Sequence, residues 1–213
     1  VTSCTKEGPA GPAGEDGVDG EDGDDAITSC LECHESTQIA VIQAEFNTSQ
    51  HYVGDKAVGY AGGRSYCAEC HSHEGFVEYT TNGEVAGDIS APSAWECGTC
   101  HGLHTNFDST DYGFRYNEPV TFLYDETVSH DFGNSNLCAF CHQTRRPGPE
   151  ADADGNFEIE TTHWGPHHGP QANLLIGVGF AEIDGSETYS NEPFGPHSAF
   201  NCTDCHMGDY NSD

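Results

Sequence analysis

The sequence predicts a mostly irregular fold with short helices and a few short β-hairpins, in which side chains alone do not fill the interior. Apolar residues make up only 35% of the 213 residues, a thin supply for a core. The 26 glycines and 10 prolines interrupt regular structure. Aromatic residues, at 10%, argue against wholesale disorder. We therefore expect another group to complete the core.

The chain is strongly acidic, with 36 acidic and 6 basic side chains and a formal net charge of -30. Coulomb repulsion makes nucleic acid and anionic membrane surfaces poor partners, whereas cations, cationic proteins and mineral surfaces suit this charge. No stretch approaches the roughly 20 consecutive apolar residues that span a bilayer, so we expect no transmembrane segment. A start at Val1 instead of Met favours a processed, secreted protein.

Ten of the 11 cysteines belong to five copies of one pattern, Cys-x-x-Cys-His. We number the copies motifs 1 to 5 in chain order: Cys30, Cys33 and His34; Cys67, Cys70 and His71; Cys97, Cys100 and His101; Cys138, Cys141 and His142; Cys202, Cys205 and His206. The Cys and His frequencies of this chain would supply only roughly 0.03 copies by chance. This pattern is the attachment signature of c-type haem, so we expect five covalently bound haem c groups.

The spacing within each motif has a mechanical reason. Two intervening residues place both sulfurs on one side of a helical turn, where each forms a thioether to a porphyrin vinyl group, and the next His points at the iron. A zinc ribbon, a thioredoxin-like site or a disulfide scaffold would not require that His in every copy. The predicted fold is therefore a haem-packed multihaem cytochrome c architecture.

Eight histidines remain to supply the second axial ligands of five irons. Because this supply exceeds the demand, we expect bis-histidine ligation throughout. The preferred distal ligands are His51, His73, His104, His130, His163, His167 and His197. His73 and His104 lie two and three residues after a proximal His, from where they can reach a neighbouring haem. His168 is the expected non-ligand, and a copper or zinc site shared by His163, His167 and His168 is an alternative.

The chain divides into two parts. Glycine recurs at every third position in residues 8–25, a pattern similar to collagen. We interpret residues 1–26 as an acidic, collagen-like N-terminal arm and residues 27–213 as one pentahaem cytochrome domain. A neighbouring subunit, or a divalent cation at Asp22, Asp24 and Asp25, would hold the arm in place, and a solvated acidic tail is the alternative. Cys4 is either a lipidation site, a free thiol or a thiol bonded to another chain.

Local patterns predict a few regular elements. Thr37–Phe46 places Ile39, Ile42 and Phe46 on one face of a helix. Residues 76–89 hold Asn82-Gly83 between alternating runs, which predicts a β-hairpin. Weaker strand patterns cover residues 120–124, 157–160 and 179–189, the last with an Asp184-Gly185 turn. We expect coil elsewhere.

Two groups of side chains are candidates to contact the porphyrins. The aromatic residues Trp95, Phe140 and Phe200 are expected to pack against porphyrin faces rather than to relay electrons. Arg145 and Arg146 follow His142 closely and are candidates to pair with haem propionates. Simple surface charge is the alternative interpretation of the two arginines.

Several longer segments carry a family resemblance. They are the Cys-His-Ser-His and Cys-His-Gly-Leu-His extensions at residues 70–73 and 100–104, Asn-Leu-Cys-Ala-Phe-Cys-His-Gln at 136–143, and Gly-Pro-His-His-Gly-Pro-Gln at 165–171. With the five motifs, over residues 27–207, they resemble the small multihaem cytochromes that polymerise into extracellular filaments, the cytochrome nanowires. The resemblance implies head-to-tail stacking, a His of one subunit ligating a haem of the next, and a continuous haem chain. The best-known small members carry four haems, so a fifth is a departure.

We therefore predict an electron carrier, not an enzyme, that performs extracellular electron transfer as the subunit of a homopolymeric filament. Its expected partners are other copies of itself and redox-partner cytochromes or extracellular metal oxides, and its expected location is extracellular or at the cell surface. Two alternatives remain open: a multihaem reductase with an open haem site, and a monomeric or lipid-anchored surface shuttle.

Overall fold

Short helices and one small sheet form the regular structure of the part of the chain that the computed structural model describes, residues 37–104, 113–159, 170–179 and 201–207. The α-helices there are Thr37–Phe46, Gln50–Val53, Asp55–Ala57, Ser65–His71, His73–Asn82, Cys97–Cys100, Asn136–Cys141, Gln171–Ile176 and Cys202–His206. A π-helix covers Val58–Gly62 and a 3-10 helix covers Gly133–Ser135. None of the helices in these ranges combines the length and the apolar character needed to cross a membrane.

The helix predicted at Thr37–Phe46 is confirmed with the same bounds. Its expected apolar face is not buried, however, because Ile39 and Ile42 are each 45% exposed. Phe46 is half-buried and packs edge-on against Tyr52, with ring centroids 5.9 Å apart. This helix therefore presents aliphatic side chains to solvent.

The β-hairpin predicted at residues 76–89 is wrong, because His73–Asn82 is a helix. The hydroxyl of Ser72 caps its start by accepting a hydrogen bond from the Gly75 N–H at 3.1 Å. Gly83 ends it in the left-handed conformation, at φ 82°. A hairpin turn and a helix C-cap both need a residue at positive φ, so the Asn82-Gly83 pair does not distinguish them.

The predicted strands are shorter than expected. Strand β1, Val120–Thr121, pairs antiparallel with β2, Ser129–His130, so only the start of the strand predicted at residues 120–124 forms. The strand predicted at residues 157–160 is reduced to an isolated bridge at Phe157. Most of the predicted strand at 179–189 lies outside the described residues, as does the proposed arm at 1–26.

An aromatic-rich core joins the central helices to the sheet. Its buried members are Phe76, Val120, Phe122, Phe132, Leu137, Ala139, Phe140, Ala172 and Ile176. Phe140 packs against Tyr79 and Tyr116, with ring centroids 4.9 and 4.8 Å apart. Three motif cysteines pack against the same core: Cys70, Cys100 and Cys141. The side chains therefore form a larger core than the composition suggested, and this core fixes the positions of three motifs.

Candidate haem-attachment sites

Motifs 2 to 5 each form a helical turn. Motif 2 ends the helix Ser65–His71, and motif 4 ends the helix Asn136–Cys141. Motif 3 forms the helix Cys97–Cys100, and motif 5 forms the helix Cys202–His206. Residues three apart share one face of a helix, so both sulfurs of each motif lie on one side of their turn. The eight cysteines of these motifs are free thiols, and this geometry fits double thioether attachment.

The residues between the cysteines hold two of these short turns together. In motif 3, the hydroxyl of Thr99 accepts a hydrogen bond from the Glu96 N–H at 2.8 Å. In motif 5, the carboxylate of Asp204 accepts one from the Asn201 N–H at 2.7 Å. Both contacts belong to capping boxes. Such caps matter here because a helix of four or five residues does not repay its nucleation cost by itself.

Cysteines of different motifs meet in pairs. Cys70 of motif 2 lies beside Cys141 of motif 4, and Cys138 of motif 4 lies beside Cys202 of motif 5. The partner thiol, and then burial, raises the pKa of Cys141 and of Cys138. Burial also raises the pKa of Cys100, to about 11. Motif 4 is therefore a direct neighbour of motifs 2 and 5.

His51 faces the histidine of motif 4. The ring centroids of His51 and His142 lie 5.8 Å apart, and the two ring planes meet at 87°. With metal-to-nitrogen bonds of about 2 Å, two imidazoles on opposite sides of one metal ion have ring centroids about 6 Å apart. Trp95 packs edge-on against His51, at 5.3 Å between centroids. The two histidines thus fit the bis-histidine ligation of one haem iron.

The surroundings of both rings favour neutral imidazole, the form that binds metal. His51 keeps solvent-accessible surface, but partial burial among its neighbours, and then the charge of His142, lowers its pKa. Burial also lowers the pKa of His142, and the neighbouring Gln171 side chain partly offsets this effect. Gln171 therefore lies where it can orient the ring, as hydrogen-bonding neighbours of metal-ligating histidines do.

His73 follows motif 2 along the chain but reaches motif 3. Its Nδ1 lies 2.7 Å from the hydroxyl of Thr99, between the two cysteines of that motif. The prediction that His73 turns toward a neighbouring motif is consistent with this contact. When Nδ1 donates to Thr99, the lone pair of Nε2 is available to a metal ion.

Two further candidate distal ligands, His130 and His104, lie within the described residues. His130 lies in β2 and packs against Phe132, at 4.5 Å between ring centroids. His104 adopts the left-handed conformation, at φ 57°. Within the described ranges, no group of three or more His, Cys, Asp or Glu side chains converges on a site for a bare metal ion. The following predicted residues lie outside those ranges: Cys30, Cys33, His34, His163, His167 and His197.

Two residues that orient candidate ligands were not predicted. Thr99 stands inside motif 3, yet nothing in the sequence linked it to His73. Gln171 follows His142 by 29 residues, and its helix is positioned by the Ala172 N–H, which donates to the His142 carbonyl at 2.9 Å. A tertiary contact of this kind leaves no periodic signal in a single sequence.

A scan of protein-family models and searches of curated proteins and of solved structures found no match to this chain. Inference of its function therefore depends on the motifs themselves and on the arrangement of the side chains around them.

Proposed function

We propose that this chain is a multihaem c-type cytochrome that passes electrons along five covalently attached haems. The observation that carries the proposal is that cysteines of motifs 2, 3 and 4 pack against one core: Cys70, Cys100 and Cys141. Each porphyrin is attached through its own edge, at two vinyl carbons. Neighbouring attachment points therefore bring porphyrin edges close together, and close edges allow fast electron tunnelling between sites.

The neighbouring rings of His51 and His142 support bis-histidine ligation of the motif 4 haem. Two axial histidines leave no open position on an iron, which favours electron transfer over reduction of a bound substrate at this site. Among the described histidines, His73 is the best placed to act at motif 3. The net charge of -30 stabilises ferric over ferrous iron, so low reduction potentials are expected.

We also propose that the chain acts outside the cell as the subunit of a homopolymer. The resemblance to filament-forming cytochromes supports this, and so does an apolar surface on the helix Thr37–Phe46. There Ile39, Val41 and Ile42 are 45, 56 and 45% exposed. Exposed apolar groups of this kind mark interaction surfaces, and a second copy of the chain would cover them. Redox-partner cytochromes or extracellular metal oxides would receive the electrons.

Intact mass spectrometry of the native protein after denaturation tests haem attachment. The expected mass is that of the polypeptide plus five haems, because thioether bonds survive unfolding. A variant with Cys67→Ala and Cys70→Ala is the control and should carry four. The mass of the bare polypeptide, together with an absorption spectrum without cytochrome bands, would refute the proposal.

Electron microscopy of the same native material tests polymerisation separately. Filaments are the expected result. Monodisperse single subunits would contradict the homopolymer while leaving haem attachment intact, and an acyl mass on Cys4 would then favour the lipid-anchored shuttle.

A further inference from the structure

Arg145 lies where motifs 2 and 4 meet. It follows the motif 4 histidine, His142, by three residues, but its side chain reaches motif 2. Its Nη1 lies 3.9 Å from the sulfur of Cys67. One half-buried cation therefore stands beside an attachment residue of motif 2.

The guanidinium of Arg145 has more donors than the described residues satisfy. It carries five N–H donors in a planar fork suited to carboxylates. Among the described residues, its guanidinium hydrogen bonds are limited to the one with Cys67, and sulfur is a weak acceptor. Arg115, in contrast, donates to the Gly98 carbonyl at 2.7 Å, and Arg64 lies over the ring of Tyr60. Arg145 is thus a partly desolvated cation with no carboxylate partner among the described residues.

We propose that Arg145, which lies beside the attachment sulfur of Cys67, raises the reduction potential of the haem attached to motif 2. This inference rests on the proposed haem attachment. The fixed positive charge favours the reduced iron, which carries one positive charge fewer, and partial burial weakens screening by solvent and salt. The chain has only 6 basic residues. One such cation therefore makes the motif 2 haem easier to reduce than haems without a neighbouring positive charge.

Redox titration of the purified holoprotein tests this assignment. The variants are Arg145→Gln, which removes the charge, and Arg145→Lys, which keeps it. Arg146→Gln is the matched control, because Arg146 is the adjacent residue and is exposed. In Arg145→Gln, one haem of the set should become about tenfold harder to reduce, which corresponds to about 59 mV for one electron. Arg145→Lys should shift that haem less than threefold, and Arg146→Gln should titrate as wild type.

The number of haems per chain, measured by mass spectrometry, separates failure of haem attachment from failure of the proposed role of Arg145. A wild-type count of zero would refute the proposed function itself. With five haems retained, an Arg145→Gln titration identical to wild type would overturn the role of Arg145 alone. If Arg145→Gln does not retain its haems, Arg145→Lys decides the matter: a tenfold shift there, despite the retained charge, would overturn the electrostatic role, and a shift under threefold would support it.

Discussion

A single hydroxyl, that of Thr99, links the motif 3 turn to a candidate ligand. It accepts a hydrogen bond from the Glu96 N–H at 2.8 Å and is hydrogen-bonded to His73 Nδ1 at 2.7 Å. Thr99 is only 1% exposed, so water does not replace these contacts easily. A residue between the two cysteines, which haem attachment leaves free to vary, therefore has a structural role here.

The variant Thr99→Val keeps the shape of the side chain and removes both hydrogen bonds. We expect the free energy of unfolding to fall by about 1–2 kcal/mol, because buried polar partners lose a net favourable bond. Guanidinium chloride titration of the holoprotein measures the change. Thr99→Ser retains the hydroxyl and should recover most of the loss, and equal stability of Thr99→Val and wild type would contradict the role of this hydroxyl.

Removal of the His51 ring should open one iron. The variant His51→Ala takes away the ring that faces His142 at 5.8 Å, so the reduced variant is expected to bind one carbon monoxide per chain, measured from its absorption spectrum. Reduced wild-type protein should bind none, because bis-histidine irons are closed. Gln50→Ala, on the same short helix, is the control. Equal binding by His51→Ala and Gln50→Ala would refute the pairing.

The candidate attachment residues can be named from the sequence, whereas the contact between His51 and His142 cannot. Thioether chemistry fixes the spacing within a motif, so Cys138, Cys141 and His142 are evident in the sequence. The sequence predicts His51 as a ligand because five expected irons need distal ligands and few other roles are evident for the remaining histidines. Its position opposite His142 depends on how distant segments pack, and no local pattern in one sequence encodes that.

At the scale of elements, Gly75 makes a close contact between two helices. A Cβ atom on Gly75 would overlap the carbonyl of Ala68, in the helix Ser65–His71 that carries motif 2. The hydroxyl of Ser72, between the two helices, also donates to that carbonyl at 3.2 Å. Backbone atoms cannot move aside as a flexible side chain can, so the absence of a side chain at Gly75 lets the two helices pack.

The variant Gly75→Ala should therefore be destabilised although alanine is the better helix former. We expect the free energy of unfolding to fall by about 1–3 kcal/mol, the usual cost of overpacking. Thermal or denaturant unfolding of the holoprotein measures it. Gly59→Ala is the control, since a Cβ atom there meets nothing within 4 Å. Wild-type stability of Gly75→Ala would show that the two helices can separate at no cost.

The error at residues 76–89 shows why element type was harder to predict than element position. Phe76 and Tyr79 both pack against Phe140, at 5.7 and 4.9 Å between ring centroids. They are three residues apart, the spacing of one helical face, but a short apolar run fits a strand pattern equally well. Thr37–Phe46 is ten residues long, a length that favours a helix over a strand, and there the prediction is confirmed.

At the scale of the whole molecule, charge opposes the self-association that we propose. Each chain has a net charge of -30, and the proposed haems would add further carboxylates. The aliphatic surface at Ile39, Val41 and Ile42 offers hydrophobic burial, which is insensitive to moderate salt, whereas repulsion between subunits depends on the range of the Coulomb field. Assembly should therefore be controlled by ionic strength.

We expect filaments to shorten or dissociate at about 0.01 M salt, where the Debye length is about 30 Å, and to reform at about 0.15 M, where it is about 8 Å. Millimolar divalent cations should restore assembly at low ionic strength, because they bind carboxylates as well as screening them. Light scattering with electron microscopy follows the change. Ile42→Ser, at an exposed position, should weaken assembly at every salt concentration while leaving the haem spectrum unchanged. Filament length that is independent of salt in the wild type would mean that the subunit contacts keep these charges apart, and the electrostatic argument would then fail.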